Sequence, residues 1–223
     1  MLPGVAHHVT QRGNNRQQVF FSDEDRLAYL DRLFAYCAEY GTRVLAYCLM
    51  PNHVHVVAVP SREGSLARVF GRLQADYARY VNLKLRAVGH LWQERYYSCP
   101  MDDGHTVRAI AYIERNPLRA NLVERAGEFV WSSAAAHLRG CDEMCRIEFE
   151  PWRRWYSPER WEEVLAVGLE EEGWRARFRE ASRRGLPIGE RAWIGELERA
   201  CGRGLSFRPP GRPPKVNVNE AVG

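Results

Sequence analysis

The nine residues Leu49-Met50-Pro51-Asn52-His53-Val54-His55-Val56-Val57 constrain this chain more than any other stretch. Pro51-Asn52 is turn chemistry between two apolar, β-branched runs, Arg43 to Leu49 and His53 to Val59, and the pattern predicts a hairpin. Successive strand side chains point to opposite faces, so His53 and His55 share one face and Val54 and Val56 the other. The valine face is expected in the core. The imidazoles then stand side by side, about 7 Å apart at Cα, a spacing that lets two neutral nitrogens converge on one metal ion. An H-x-H pair is short, and a half-exposed strand that happens to carry two histidines is the plainer account until more ligands are found.

The flanking chain supplies a frame for the hairpin. Val5 to Thr10 reads as a first strand, followed by the polar turn Gln11-Arg12-Gly13-Asn14-Asn15-Arg16. Ser22 with Asp23, Glu24 and Asp25 opens a helix whose apolar face is Leu27, Leu30, Phe34 and Cys37, and Gly41 stops it. Leu66, Val69, Phe70, Leu73, Tyr77, Tyr80 and Val81 give a second helix after Ser65. Leu91 to Cys99 is expected as a fourth strand. Asp102 and Asp103 open a third helix that must end or kink at Pro117. The order β-α-β-β-α-β-α predicts an α+β fold: a ferredoxin-like antiparallel sheet with helices on one face and the histidine pair on the exposed face. Residues 1–130 form this unit. Residues 131–202 are expected as a helical extension, with helices at 158–169 and 192–200. Residues 203–223, rich in proline and arginine, are expected as a basic flexible tail.

The third helix adds what the hairpin lacks. Tyr112 and Asn116 lie four apart, one above the other on one helix face. Two imidazoles and the Asn116 amide oxygen leave positions open on an octahedral Mg²⁺ or Mn²⁺, which a phosphodiester could fill. The cation would polarise that phosphate, and Tyr112 would attack it to form a covalent phosphotyrosine. A free phenol, with a pKa of about 10, needs such help. Tyr96 and Tyr97 are rival nucleophiles, but strand alternation puts them on opposite faces and neither has an i,i+4 partner.

Composition excludes more than it assigns. A net charge of +4 is modest, and all but two of the 32 basic residues are arginine, a bias that a GC-rich genome explains as well as phosphate binding does. Six cysteines show no disulfide framework, no apolar run is long enough to span a bilayer, and the N-terminus lacks a signal core, so a cytoplasmic protein with no membrane partner is expected. There is no G-x4-G-K-[ST] loop for a nucleotide.

Four blocks in order, Gln11 to Asn15 (QRGNN), Leu49 to Val57 (LMPNHVHVV), Gly89 to Ser98 (GHLWQERYYS) and Tyr112 to Val123 (YIERNPLRANLV), resemble the REP-associated tyrosine transposases, single-strand DNA enzymes of the His-hydrophobe-His type. The resemblance covers roughly the first 135 residues and continues into Gly185 to Glu198 and the Gly-Arg-Pro tail. It implies His53, His55 and Asn116 as metal ligands, Tyr112 as nucleophile, and nicking and joining of single-stranded DNA beside repetitive hairpins by a nucleoid-associated monomer or homodimer. Candidate DNA contacts are Arg12, Asn14 and Asn15 in the first turn, Arg108, Arg115 and Arg119 around the third helix, and Arg212 in the tail, whose Gly-Arg-Pro resembles a minor-groove hook. The rival from another class is a non-catalytic protein that binds hairpin nucleic acid on a ferredoxin-like sheet.

Overall fold

The computed structural model describes residues 2–169 and 173–205; Arg212 and most of the expected tail lie outside the described residues. Four strands, β1 (Ala6–Arg12), β2 (Thr42–Met50), β3 (His53–Pro60) and β4 (Tyr97–Met101), form one antiparallel sheet in the order β2-β3-β1-β4. That is the split βαβ arrangement expected for a ferredoxin-like sheet. Helices α1 (Asp23–Tyr40) and α2 (Ser65–Leu85) pack together over one face.

Local chemistry sets the helix ends. Ser22 caps α1 while the buried Asp25 carboxyl accepts from the Phe21 and Ser22 N–H groups, which satisfies donors the helix cannot. Gly41 ends it in the left-handed region, at φ 64°. Helix α3 (Asp103–Glu114) starts on the Asp102 cap, and Pro117 breaks it as expected, so a single turn, α4 (Asn116–Arg119), follows Arg115.

The fourth strand starts later than expected. Residues 89–95 lie instead along the first turn: Asn14 N–H bonds Leu91 O at 2.9 Å, and Gln93 N–H bonds Arg12 O at 2.9 Å. Trp92 packs with Tyr29 and Tyr77 and donates to Gln74 O, so its ring serves the helix layer rather than the ladder. Gly13 is required at this crossing, because a Cβ there would sit 2.3 Å from Gln17 O.

Register divides the sheet's side chains between its faces. Val54 and Val56 pair with Leu49 and Tyr47 on β2 and with Gln11 and Val9 on β1. Tyr47 meets Phe34 of α1, so this is the α1–α2 face. His53 and His55 pair with Met50 and Cys48, and with Arg12 and Thr10, on the opposite face, which His8, Tyr97 and Cys99 share. That face is not open to solvent, contrary to the sequence expectation: His55 is 8% exposed and His8 2%. The reason is legible in β3, where Val57 and Val59 follow the histidines on the same face, so both sides of the strand need cover.

The cover comes from α3 and from residues 131–169 and 173–205. Beyond the turn-rich 120–133 segment lie α5 (Ala134–Arg139), α6 (Pro158–Val167), α7 (Trp174–Arg184) and α8 (Arg191–Cys201). Helix α7 has no counterpart in the sequence reading. It lies against β4 and β1 on the histidine face.

Candidate active site

Both strand histidines have their Nδ1 atoms engaged. His53 Nδ1 is 2.6 Å from Asn52 Oδ1, an acceptor, so the ring donates; His55 Nδ1 lies 2.8 Å from His8 Nε2. This leaves Nε2 of each ring for a ligand, the arrangement typical of metal-binding imidazoles. Burial, with help from the Arg12 charge, pulls His53 down to about 4. Burial alone pulls His8 to about 3, and burial, followed by electrostatic coupling to His53, His8, Arg119 and Arg12, holds His55 well below its ordinary value. All three rings are neutral at physiological pH, as metal coordination requires.

Helix α3 brings Tyr112 to the same place. Its ring meets His55 edge-on at 6.2 Å between centroids and packs against Trp174 and Phe178 of α7. The hydroxyl accepts from Arg179 Nε at 3.1 Å, and the residue is only 4% exposed. Arg119 stacks its guanidinium 4.3 Å over the Tyr112 ring and donates to Tyr112 O and to Asn116 Oδ1 at 2.7 and 2.6 Å. One arginine thus closes the break before Pro117 and ties nucleophile candidate to ligand candidate. Asn116 Nδ2 is buried without a partner among the described residues.

These groups line a cavity of about 690 Å³, together with Thr10, Arg12, Tyr97, Arg179 and Arg183. Four arginines around one cleft suit a polyanion. A larger cavity, about 960 Å³, lies between α7 and α8, walled by Leu186, Ile188, Ile194 and Leu205; it contains neither strand histidine nor Tyr112, and the chemistry sits in the smaller one.

The sequence candidates distribute unevenly. His53, His55, Tyr112, Asn116, Arg12 and Arg119 converge on the cleft. Asn14 and Asn15 sit beside it in the first turn, with Asn15 at φ 50°, and Arg108 is half-buried on α3. Arg115 is a correction. It points inward, 7% exposed, and donates to Leu165 O at 2.9 Å and Ala166 O at 3.2 Å at the end of α6, so it anchors the extension and cannot reach DNA. Tyr96 packs on Phe70 under α2, whereas Tyr97 lines the cleft with its hydroxyl bonded to Glu94 at 2.6 Å. Sequence reasoning missed His8, Arg179, Ser182 and Arg183. Trp174, Phe178, Ala181 and Ser182 recur at helical spacing and would have revealed α7, but its five arginines masked the stripe.

The described residues hold no group of three or more His, Cys, Asp or Glu fit to bind a metal. The donor set here is two neutral imidazoles and an amide oxygen, which suits a divalent cation that keeps part of its shell for water or phosphate oxygens. The Asn116 oxygen gives one lone pair to Arg119 and keeps the second for a cation, whereas its unpartnered Nδ2 is a donor and is not a ligand.

No curated protein matches this chain. Among solved structures, a REP-associated tyrosine transposase bound to a REP hairpin is 15% identical, with a TM-score of 0.54, and the match covers 64% of this chain and 85% of that one. A proposed transposase from Deinococcus radiodurans is 20% identical with a TM-score of 0.39, over 51% of this chain and 92% of that one. At such identities the first likeness speaks to fold. Residues 3–116 match the IS200-like transposases, a span that takes in both strand histidines, Tyr112 and Asn116. With half of its length matched in this way, the chain belongs to the IS200-like transposase family.

Proposed function

We propose that this protein cuts and rejoins single-stranded DNA beside a hairpin, with Tyr112 as nucleophile and with Mg²⁺ or Mn²⁺ held by His53, His55 and Asn116. The observation that carries the reading is the convergence of Tyr112 and two imidazoles, each tied at Nδ1, on one arginine-lined cleft. The family membership and the fold shared with a hairpin-bound transposase support it.

When bound, the cation polarises the scissile phosphate and offsets its charge. Arg12, in the cleft wall, grips the DNA backbone, and Asn14 and Asn15 hold the hairpin foot. Arg119, stacked on the phenol ring, fixes its orientation. The Tyr112 oxygen attacks phosphorus: the O–P bond forms, the P–O3′ bond breaks, the phenolic proton passes to water in the cleft, and the departing 3′ oxygen takes up a proton. The DNA 5′ end is left as a phosphotyrosine. Its ester keeps the energy of the broken linkage, so attack by a DNA 3′-hydroxyl reverses the step and joins strands without ATP.

A second reading has one observation in its favour. Tyr112 is 4% exposed under α7, which is what a hairpin-binding protein without cleavage would tolerate. Incubation with an end-labelled hairpin oligonucleotide carrying single-stranded flanks, in Mn²⁺, separates the two. A denaturant-stable adduct that disappears in Tyr112→Phe, with hairpin affinity unchanged within about twofold because only one hydroxyl is lost, is the expected result. An adduct that survives Tyr112→Phe transfers the role to Tyr97, and tight hairpin binding with no adduct in the wild type leaves binding as the function.

A further inference from the structure

The metal-site reading leaves one buried feature unexplained. Behind His55 runs a chain of hydrogen bonds that crosses from β3 to β1 and then to α7: His55 Nδ1 to His8 Nε2 at 2.8 Å, and His8 Nδ1 to Ser182 Oγ at 2.8 Å. The His8 and His55 rings lie edge to edge and nearly coplanar, with centroids 5.0 Å apart and planes 17° apart, and Phe178 packs on His8 at 4.6 Å between centroids. His8 is 2% exposed and Ser182 3%, so the chain is shielded from bulk solvent.

Such a chain can run in two directions. In one, Ser182 donates to His8, His8 Nε2–H donates to His55 Nδ1, and His55 carries its proton on Nε2, where it would block a metal. In the other, His55 Nδ1–H donates to His8 Nε2, His8 Nδ1–H donates to Ser182 Oγ, and His55 presents a bare Nε2 lone pair. One observation chooses the second. Arg12 and Arg119 line the cleft that His55 faces, and a lone pair facing cations is favoured over an N–H facing them.

We propose that His8 and Ser182 are positioning residues that hold His55 in its Nδ1–H tautomer, which makes helix α7 part of the metal site. The inference rests on the proposed metal site but not on the tyrosine chemistry. A purely structural alternative makes the same bonds a peg that seats α7 on the sheet. That role would alter stability and leave metal affinity alone.

Two measurements on the full chain decide it. Imidazole ¹⁵N spectra of the metal-free wild type read the tautomers directly; Nδ1–H on both His55 and His8 is expected, and Nε2–H on His55 overturns the proposal. Mn²⁺ titration, followed by its electron spin resonance signal, gives affinities without any DNA. His8→Phe keeps the volume and removes both nitrogens, and should weaken Mn²⁺ binding by about 10- to 100-fold. His8→Gln keeps an acceptor at the Nε2 position and should recover most of that loss. Ser182→Ala should weaken binding by a few-fold. Unchanged affinity in His8→Phe, while His53→Ala abolishes binding, overturns the positioning role alone. Wild-type protein that binds no Mn²⁺ overturns the metal site and this inference together. If His8→Phe does not fold, the wild-type tautomer and Ser182→Ala carry the decision.

Discussion

Glu114 holds the extension to the helix that carries Tyr112, and its removal should unfold the junction. The side chain is fully buried on α3, with 0% exposure. Its Oε1 accepts from Ser133 Oγ and from His137 Nδ1 at 2.7 Å, and its Oε2 accepts from Trp161 Nε1 at 2.9 Å. Three donors from α6 and from the start and body of α5 therefore depend on one acidic group. Hydrogen bonds to a charged group contribute about 1.5–3 kcal/mol each, but they share a desolvation cost and do not add. Glu114→Ala strands His137 Nδ1 and Trp161 Nε1 in the interior, while Ser133 Oγ keeps Tyr47 O as an acceptor at 3.4 Å, and at about 1–3 kcal/mol for each stranded donor the cost is about 2–6 kcal/mol. Glu114→Gln keeps one oxygen, which can serve either Trp161 or the Ser133–His137 side but not both, and its NH2 group faces the donors left over. About 2–3 kcal/mol is expected for that variant. Urea denaturation followed by tryptophan fluorescence checks both numbers, with Trp161 as a reporter inside the network. A Glu114→Gln protein with an unchanged urea midpoint would refute the argument that these three bonds fasten the extension to α3.

Two further variants test the architecture. Arg115→Ala removes bonds to the Leu165 and Ala166 carbonyls and should destabilise the fold by about 2–4 kcal/mol while hairpin affinity, measured on the folded fraction, stays the same; a loss of affinity without a loss of stability would restore Arg115 as a DNA contact. Asp25 should make stability fall in acid. Burial pushes its carboxyl up, but hydrogen bonds from Lys84, the Phe21 N–H and Tyr80 outweigh this and hold it below the usual range. A depressed folded-state value means that the stabilisation is present above the unfolded pKa of about 4 and is lost as pH falls through the lower folded value. Asp25→Asn should flatten the acid limb of the stability curve below about pH 5, and an unaltered limb would show that other groups set it.

The fold was legible because its signals are local. Ser22 and Gly41 bound α1 as capping chemistry requires, Pro51-Asn52 turns the hairpin, and the alternation in β3 assigns faces correctly. The site was legible as far as the H-x-H pair and the Tyr112–Asn116 spacing reach. What stayed hidden was long-range. His8 looked like an ordinary strand residue, because its role depends on pairing beside Val57 and on a serine 174 positions away. Arg115 and Arg119 stand four apart and read alike, yet one turns inward to α6 carbonyls and the other lies in the cleft. No period distinguishes them; the difference comes from which neighbour each side of the α3–α4 break meets.

The span matched to the family ends at residue 116, and the sheet up to that point leaves three surfaces that physics does not leave bare. The outer edge of β2 would present unpaired backbone groups; instead Leu49 N–H bonds Trp131 O, Ser133 N–H bonds Tyr47 O and Glu148 N–H bonds Val44 O, at 2.9, 3.0 and 2.8 Å. The outer edge of β4, which Pro100 already deprives of a donor, is met by Ile188, whose N–H bonds Pro100 O at 2.9 Å. The third surface is the histidine face, and α7 takes it with Trp174, Phe178 and Ser182. Residues 131–169 and 173–205 therefore seal both edges and roof the cleft. Sealing requires apolar and backbone contacts; it does not require Arg179 to reach in and donate to the Tyr112 hydroxyl. That contact, with Arg183 on the cleft rim, makes the extension part of the cleft wall as well as part of the fold.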